Sequence, residues 1–429
     1  MATTQSLLAL TAEEQSMLDG DRGPAVAMAM RLVTGVARAN RAERLLAVES
    51  VHVDGCLYHG RAGLDFAERL VELGGRVAVR TTLNVGSLDL LHPGLVRAGD
   101  GLASAGRRLM DAYVALGCEP TWSCAPYQLS HRPATGTHVA WAESNAIAFV
   151  NSVLGARTDR YGDFLDIAAA LTGRVPDAGL HRDHARRAEL VLDCSELPRR
   201  LLAEDTAWAA LGALLGEVAG TRVAALMGLP GDLDDDGTTE DRLKALGATA
   251  ASAGGVALFH VVGVTPEAPD LQSVADPGCP VRTISTADLR LARDRLSTAT
   301  GDTLDAVSLG TPHFSVTEFA ELARVIGAGP AFSDEVDVYV STSRAVLAEA
   351  TRLGHLAPVE AAGARIITDT CTYVTPVLSP GTKTVMTNSG KWAWYAPANL
   401  GVDTVLGSLT ECVASARAGK VVRGDRLWS

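Results

Sequence analysis

Short β-branched runs alternate with amphipathic stretches along most of the chain. Apolar runs at 44–53, 76–83, 188–193, 222–228, 256–263, 306–310, 336–341 and 365–369 predict strands. Most are continuous rather than alternating, the pattern of strands buried on both faces. Stretches with helical spacing fall between them, at 102–117, 163–172, 206–219, 286–298, 315–327 and 342–353. Strands separated by helices imply parallel pairing, because a crossover helix is the usual way to bring the next strand alongside in the same direction. The first segment opens with Thr11-Ala-Glu-Glu14, a capping-box pattern that predicts a helix start.

The alternation predicts a multi-domain α/β protein with parallel or mixed sheets flanked by helices. Residues 1–175 read as a first α/β lobe with long loops. Residues 186–370 read as one doubly wound lobe, and 371–429 as a C-terminal segment that completes a site. The acidic stretch at 228–242 reads as a solvated turn before a helix.

Composition narrows the classes. A chain of 429 residues, 47% of them hydrophobic, has material for a large core in two or three domains. Its formal charge of −12 argues against a non-specific nucleic-acid surface. Among the basic residues only Lys244, Lys383, Lys391 and Lys420 are lysines, so a lysine inside a motif carries weight. The N-terminal stretch lacks the basic head and apolar core of a signal peptide. The longest apolar run, 254–264, is about half of a ~20-residue membrane span, and the expectation is a cytoplasmic protein. Seven scattered cysteines, an odd number, do not make a disulfide framework.

Chemistry collects where predicted strands end. The stretches HVDGCLYHG (52–60), TTLNVGS (81–87), GTPHFS (310–315), DTCTY (369–373) and TNSGKWAWY (387–395) bring Cys, His, Asn and Lys to those ends. Ligands of open α/β sheets bind beyond the carboxyl ends of the strands, so five such ends predict a shared cleft. GCEPTWSCAPY (117–127) adds two cysteines in a Pro-rich loop, although C-x5-C is not a zinc or ferredoxin spacing. In 141–166, Glu143, Ser144, Asn145 and Asn151 are embedded in an apolar run and must find partners. Arg157 and Arg160 fit either a carboxylate clamp or a tie between lobes.

Taken in order, HVDGCLYHG, TTLNVGS, SCAPYQ, WAESNAIAFVNSVLGARTDRYGDF, GTPHFS, DTCTYVTP and NSGKWAWYAP resemble the motifs of the aconitase X family over residues 52–397. The resemblance implies an aconitase-like fold with its active site between lobes. It also implies a hydro-lyase that removes water from a hydroxylated carboxylate, either cis-3-hydroxy-L-proline or mevalonate 5-phosphate. An iron–sulfur cluster, [2Fe-2S] or [4Fe-4S]/[3Fe-4S], is implied as cofactor, with an open iron acting as Lewis acid on the departing hydroxide. Such a cluster takes three cysteines rather than four. Cys124 and Cys371 match the cluster motifs. Archaeal members have Cys where this chain has Thr311, so Cys56 is expected as the third ligand, with Cys118 as alternative. Thr311 together with Cys56 points to the hydroxyproline type, whose enamine product tautomerises to Δ1-pyrroline-2-carboxylate.

The resemblance assigns catalytic roles to Lys391, Ser389 and His313, and substrate contacts to Asn84, Ser87, Glu143, Arg157 and Asn388. Aconitase-like enzymes complete the site with a swivelling domain that carries a serine base. No segment here is left for one, so a separate small subunit is the expected partner. Two other classes compete. One is a zinc hydrolase using His52, His313, Asp369 and a cysteine; the other is a scaffold subunit without chemistry.

Overall fold

The computed structural model describes residues 8–230 and 238–428. Residues 231–237, which hold most of the acidic stretch, lie outside the described residues. The chain forms two compact units, 1–88 with 98–187, and 89–97 with 188–429.

In the first unit, β1 (Leu45–Ala47), β2 (Ser50–Val53), β3 (Arg80–Leu83), β4 (Ala140–Trp141) and β5 (Arg174–Pro176) form two small sheets. The central β2 runs parallel to β3 and β4, whereas β1 and β5 pair antiparallel. The expected helix at the chain start is present as Ala12–Asp19. Thr11 Oγ1 accepts from the Glu14 amide at 3.2 Å and Glu14 returns a carboxylate oxygen to the Thr11 amide at 2.9 Å. The apolar run at 76–83 is strand only in its last four residues.

The second unit holds two all-parallel sheets, where the sequence predicts one lobe over 186–370. The first is ordered β8 (Phe259–Val261), β7 (Ala224–Met227), β6 (Leu190–Asp193), β9 (Val281–Thr283). The second is ordered β12 (Arg365–Ile367), β11 (Asp337–Thr342), β10 (Ala306–Phe314), β13 (Thr384–Thr387), β14 (Asp403–Leu406). The last sixty residues therefore supply two strands to this second sheet. Those strands are short and rich in Thr, which hid them from a search for apolar runs.

Both faces of the five-stranded sheet are covered, which is why its strands read as continuous apolar runs. Val307, Leu309, Val338, Val340, Ile366 and Met386 pack into one core, and their neighbours Ala306, Tyr339, Ile367 and Val385 pack into another. The period of two along each strand sends alternate side chains to opposite faces. The chain builds outward through β11 and β12, then returns to the other side of β10 for β13 and β14. A ligand cleft is expected where the winding reverses.

Candidate functional site

At that reversal β10 leaves its ladder. Its parallel register with β11 shifts between Leu309 and Phe314, so Gly310–His313 bulge at the carboxyl end. Gly310 has φ +85°, and a Cβ there would lie 2.1 Å from the Ser341 carbonyl oxygen, so glycine is required. The bulge presents Thr311, with a cis bond to Pro312, and His313. The fully buried His313 directs Nε2 to the Thr370 carbonyl oxygen at 3.1 Å. Because a carbonyl only accepts, Nε2 carries the proton and Nδ1 is the lone-pair nitrogen.

Cys371 sits on a loop locked from both sides. Thr368 donates its amide and hydroxyl to Asp89 at 2.8 and 2.9 Å. Asp369 is in the left-handed region at φ +61°, its carboxylate gripped by Arg344. Thr372 Oγ1 accepts from Trp392 Nε1 at 2.9 Å. The Cys371 thiol is buried, and its Sγ and a ring nitrogen of His313 lie within 4.8 Å of each other. A thiolate and an imidazole lone pair, held in a buried place by rigid neighbours, suit a soft or borderline metal centre. With both oxygens committed to Arg344, Asp369 is not arranged as a zinc ligand.

A cavity of about 740 Å³ opens in this unit beside the bulge. Among the described residues, five helices of eight or more residues begin at its wall, Asp205–Ala219, Thr238–Ala253, Val316–Ile326, Gly390–Leu400 and Leu409–Ala418, and the short helix Leu356–Ala361 adds its N-cap His355. The positive ends of their dipoles therefore face one space. Four carry an acid in the first turn, Asp205, Asp241, Glu318 and Glu411 respectively, which offsets that field. The helix at Gly390 has none and places buried Lys391 in its first turn.

Around that helix start, Ser389 accepts from the Trp392 amide at 3.0 Å and donates its hydroxyl to the Thr311 carbonyl, so it caps the helix and ties it to the bulge. That bonding makes Ser389 a positioning group rather than a base. Asn388 Nδ2 lies 3.3 Å from Asp205 Oδ2. Lys244, expected by composition to matter and buried here, pairs with Asp241 at 3.0 Å and with Glu318. Its Nζ also lies 3.5 Å from the His313 carbonyl oxygen.

In the first unit the motif residues make their own buried polar cluster. Asn84 donates to Asp54, Ser87 Oγ accepts from the Tyr58 amide at 2.8 Å, and Glu143 caps the helix Ser144–Ser152 through the Ala146 amide at 2.8 Å. Asn145 links Glu143 to the Cys124 carbonyl at 2.8 Å, fixing the loop that carries the buried Cys124 thiol. Burial, with the Glu143 and Asp163 carboxylates nearby, pushes Asp54 up to about 7. Asp166 is pushed to about 6 by burial although it accepts the Asp54, Gly55 and Ile167 amides.

Cys56 turns its thiol to the Asn84 carbonyl at 3.2 Å, and burial with the Asp54 and Asp166 carboxylates pushes its pKa well above the ordinary thiol value. Burial and Asp166 push Cys118 up as well. Both surroundings favour the thiol over a metal-binding thiolate. Arg157 does not form a free clamp: it meets Asp183 at 2.6 Å and the His181 carbonyl at 3.1 Å. The lobe-tying alternative is also not what it does, since both partners belong to its own unit. His52 is fully buried beside Thr82 Oγ1 at 2.8 Å, and burial lowers it to about 3, so it is a neutral core histidine.

Sequence reasoning missed Asp54, Asp166, Asp205 and Lys244 as polar anchors. Asp54 was inside a quoted motif and Lys244 was one of four lysines, so both had a signal. Asp205 and Asp166 sit at unremarkable helix starts and had none.

The chain matches three family models, the aconitase X first domain over residues 7–184, the second over 188–294 and the third over 304–418. It is 41% identical over 428 residues to a cis-3-hydroxy-L-proline dehydratase of Pseudomonas aeruginosa, covering 98% of this chain and 72% of that protein. Identity to the Hypocrea jecorina protein of the same name is 38%, over 96% and 69% of the two chains. Identity to the phosphomevalonate dehydratase large subunit of Methanothermobacter thermautotrophicus is 37%, over 91% and 94%. A crystal structure of Thermococcus kodakaraensis aconitase X in its holo-form superposes with a TM-score of 0.84 at 31% identity, covering 95% of this chain and all of that one. Among the described residues no helix is long and apolar enough to cross a membrane. The relatives are dehydratases, and a fold kept over nearly the whole chain makes this protein a hydro-lyase rather than a zinc hydrolase or an inert scaffold. The chain is a member of the aconitase X family.

Proposed function

We propose that this chain dehydrates cis-3-hydroxy-L-proline to Δ1-pyrroline-2-carboxylate, working in the cytoplasm as a large subunit with a separate small one. The observation that carries the proposal is the start of helix Gly390–Leu400. Among the described residues, of the five helices of eight or more residues that begin at the cavity, it alone lacks an acid in its first turn, and it adds Lys391. A substrate carboxylate is drawn there, and the charge that develops on it as the neighbouring C–H proton leaves is stabilised by the same donors. The hydroxyl departs from the adjacent carbon with a proton as water. The enamine that remains then tautomerises.

Cys124 and Cys371 are the thiols we propose for an iron–sulfur cluster. When bound, the cluster supplies a Lewis acid for the departing hydroxide. For the third protein ligand we favour His313 over Cys56 and Cys118. Its Nδ1 carries a lone pair and a ring nitrogen lies within reach of Cys371 Sγ, whereas the two first-unit cysteines are held as thiols. Ser389 fixes the Lys391 helix to the bulge. In the first unit Asn84, Ser87 and Glu143 keep the loops around Asp54 and Cys124 in place.

The hydroxyproline substrate is favoured by the 41% and 38% identities to dehydratases of that name. Mevalonate 5-phosphate is the second candidate, because the large subunits of that name match at 37% and below. Those same large subunits, covered to 94% and 98% of their length, support a separate small partner for this chain. The test is an assay of the reconstituted two-subunit enzyme on both compounds. Turnover of hydroxyproline is expected. Turnover of mevalonate 5-phosphate alone overturns the substrate, and full activity of the purified single chain overturns the partner.

A further inference from the structure

Thr311 and Asn388 face the same cavity with opposite hydrogen-bonding character. Thr311 is 3% exposed and lines the cavity wall, and its buried Oγ1 has no hydrogen-bond partner among the described residues. A buried hydroxyl without a partner costs free energy that a bound acceptor would recover. The Thr311 carbonyl is tied through Ser389 to the start of helix Gly390–Leu400, whose first turn lacks an acid.

Asn388 is oriented by Asp205. Asp205 Oδ2 accepts from Asn388 Nδ2 at 3.3 Å and from the Leu409 amide at 3.1 Å, and Oδ1 accepts from the Thr206 amide at 2.9 Å. A flipped amide would set Asn388 Oδ1 against a carboxylate oxygen, so Nδ2 must face Asp205. One of the two Nδ2 hydrogens is thereby taken, and the acceptor Oδ1 is turned away from Asp205.

We propose that the cavity recognises both charges of a cyclic amino acid: Thr311 Oγ1 donates to its carboxylate at the start of helix Gly390–Leu400, and Asn388 Oδ1, held by Asp205, accepts from its protonated ring nitrogen. The proposal rests on the dehydratase reading above and deepens it. It also gives Asn388, expected from the sequence as a substrate contact, a specific group to bind. Asp205 is a positioning residue, acting through Asn388. A substrate without an N–H gains nothing from Asn388 Oδ1, so the pair favours an amino acid over a phosphorylated hydroxy acid.

Calorimetric binding of L-proline and of cyclopentanecarboxylate to the anaerobically purified full chain tests the assignment, because the two probes differ in the ring nitrogen. Wild type is expected to bind proline more tightly. Thr311→Val weakens both probes about tenfold, the scale of a lost hydrogen bond to a charged group. Asp205→Asn weakens proline about tenfold and leaves cyclopentanecarboxylate within about twofold, and the exchange of Asp205→Asn with Asn388→Asp restores proline binding. A merely structural role for Asp205 would lower both affinities together, and that result, or no change in either, overturns the inference. Should Asp205→Asn not fold, Asn388→Leu is expected to give the same selective loss of proline. If wild type binds neither probe and the two-subunit enzyme leaves hydroxyproline untouched, the functional reading itself fails. Turnover with an unselective Asp205→Asn leaves that reading standing and removes only this inference.

Discussion

The Arg344 guanidinium meets the Asp369 carboxylate with two parallel hydrogen bonds, Nε to Oδ1 at 2.7 Å and Nη2 to Oδ2 at 2.6 Å. Asp369 is fully buried and left-handed at φ +61°, two residues before Cys371. The fork, together with the Leu90 amide at 3.0 Å, holds a conformation that non-glycine residues seldom adopt. It also explains why an apolar strand stops abruptly in Asp-Thr-Cys.

Replacing Arg344 with Met should therefore release the Cys371 loop. Removing one partner of a buried pair costs about 3–5 kcal/mol. Because Arg344 is 45% exposed on its side chain, the expected loss is nearer to about 2 kcal/mol by urea denaturation. The more telling readout is the rate at which Cys371 reacts with a thiol reagent in the apo-protein. It should rise at least about tenfold if opening becomes cheaper by that amount. An unchanged labelling rate would mean that Thr368 and Thr372 hold the loop without the fork.

The helices Asp205–Ala219 and Thr238–Ala253 approach closely enough to require glycine at their contact. A Cβ on Gly216 would lie 2.8 Å from the Ala250 carbonyl oxygen, and one on Gly212 would lie 2.4 Å from that of Leu246. Gly216→Ala should destabilise by about 1–3 kcal/mol through overpacking, although alanine favours a helix. Gly35→Ala is the control. That exposed position in the helix Pro24–Ala39 has nothing within 4 Å of the new Cβ, and it should gain up to about 1 kcal/mol. If both variants shift the melting temperature in the same direction, the contact does not control the packing.

His181 makes the first unit acid-sensitive. Its Nδ1 faces His138 Nδ1 at 2.9 Å and its Nε2 faces the Tyr161 hydroxyl. Burial, then His138 and Arg186, lower its pKa to about 3. The unfolded chain takes up this proton below pH 6.5 and the folded chain does not until about 3, so the stability from keeping His181 neutral is complete above pH 6.5 and is lost as pH falls toward 3. Other groups titrate in the same range, so the prediction concerns a difference. The unfolding free energy of wild type minus that of His181→Gln should fall by about 2 kcal/mol between pH 6.5 and 5. A difference that stays flat with pH would show that the folded protein protonates His181 as readily as the unfolded chain does.

How far the sequence reaches depends on whether a property is local. Strands β6, β7, β10 and β11 and the helices around 206–219 and 315–327 were legible because burial on both faces or on one stripe writes itself into adjacent residues. β9 could not be found that way, since Val281, Arg282 and Thr283 are all exposed. Nor could the division of 186–370 into two sheets, because alternation carries no record of which strand pairs with which. For the site, the motifs place Thr311, His313, Cys371, Asn388 and Lys391 in or shortly after the carboxyl-terminal parts of strands. What each one does depends on partners distant in the chain: Asp205 for Asn388, Thr311 for Ser389, Arg344 for the loop of Cys371. Arg157 shows the converse. Its place in a long motif suggested a ligand, and only the fold shows it occupied by Asp183 and the His181 carbonyl.

The third metal ligand separates Cys56 from His313. Each is fully buried, so an isosteric change at either perturbs packing modestly and a large effect on metal content is attributable to ligation. Cys56 donates its thiol to the Asn84 carbonyl in surroundings already occupied by the Asp54 and Asp166 carboxylates, where a thiolate would add a third negative charge. Cys56→Ser should therefore keep the iron, acid-labile sulfide and visible charge-transfer bands of the anaerobically purified protein, with a small loss of stability. His313→Gln keeps a donor for the Thr370 carbonyl but loses the imidazole and its lone-pair nitrogen, and should lower iron content and bleach those bands as Cys371→Ser does. Bleaching by Cys56→Ser with bands retained in His313→Gln would reverse the assignment and show that the thiol ionises when the metal enters.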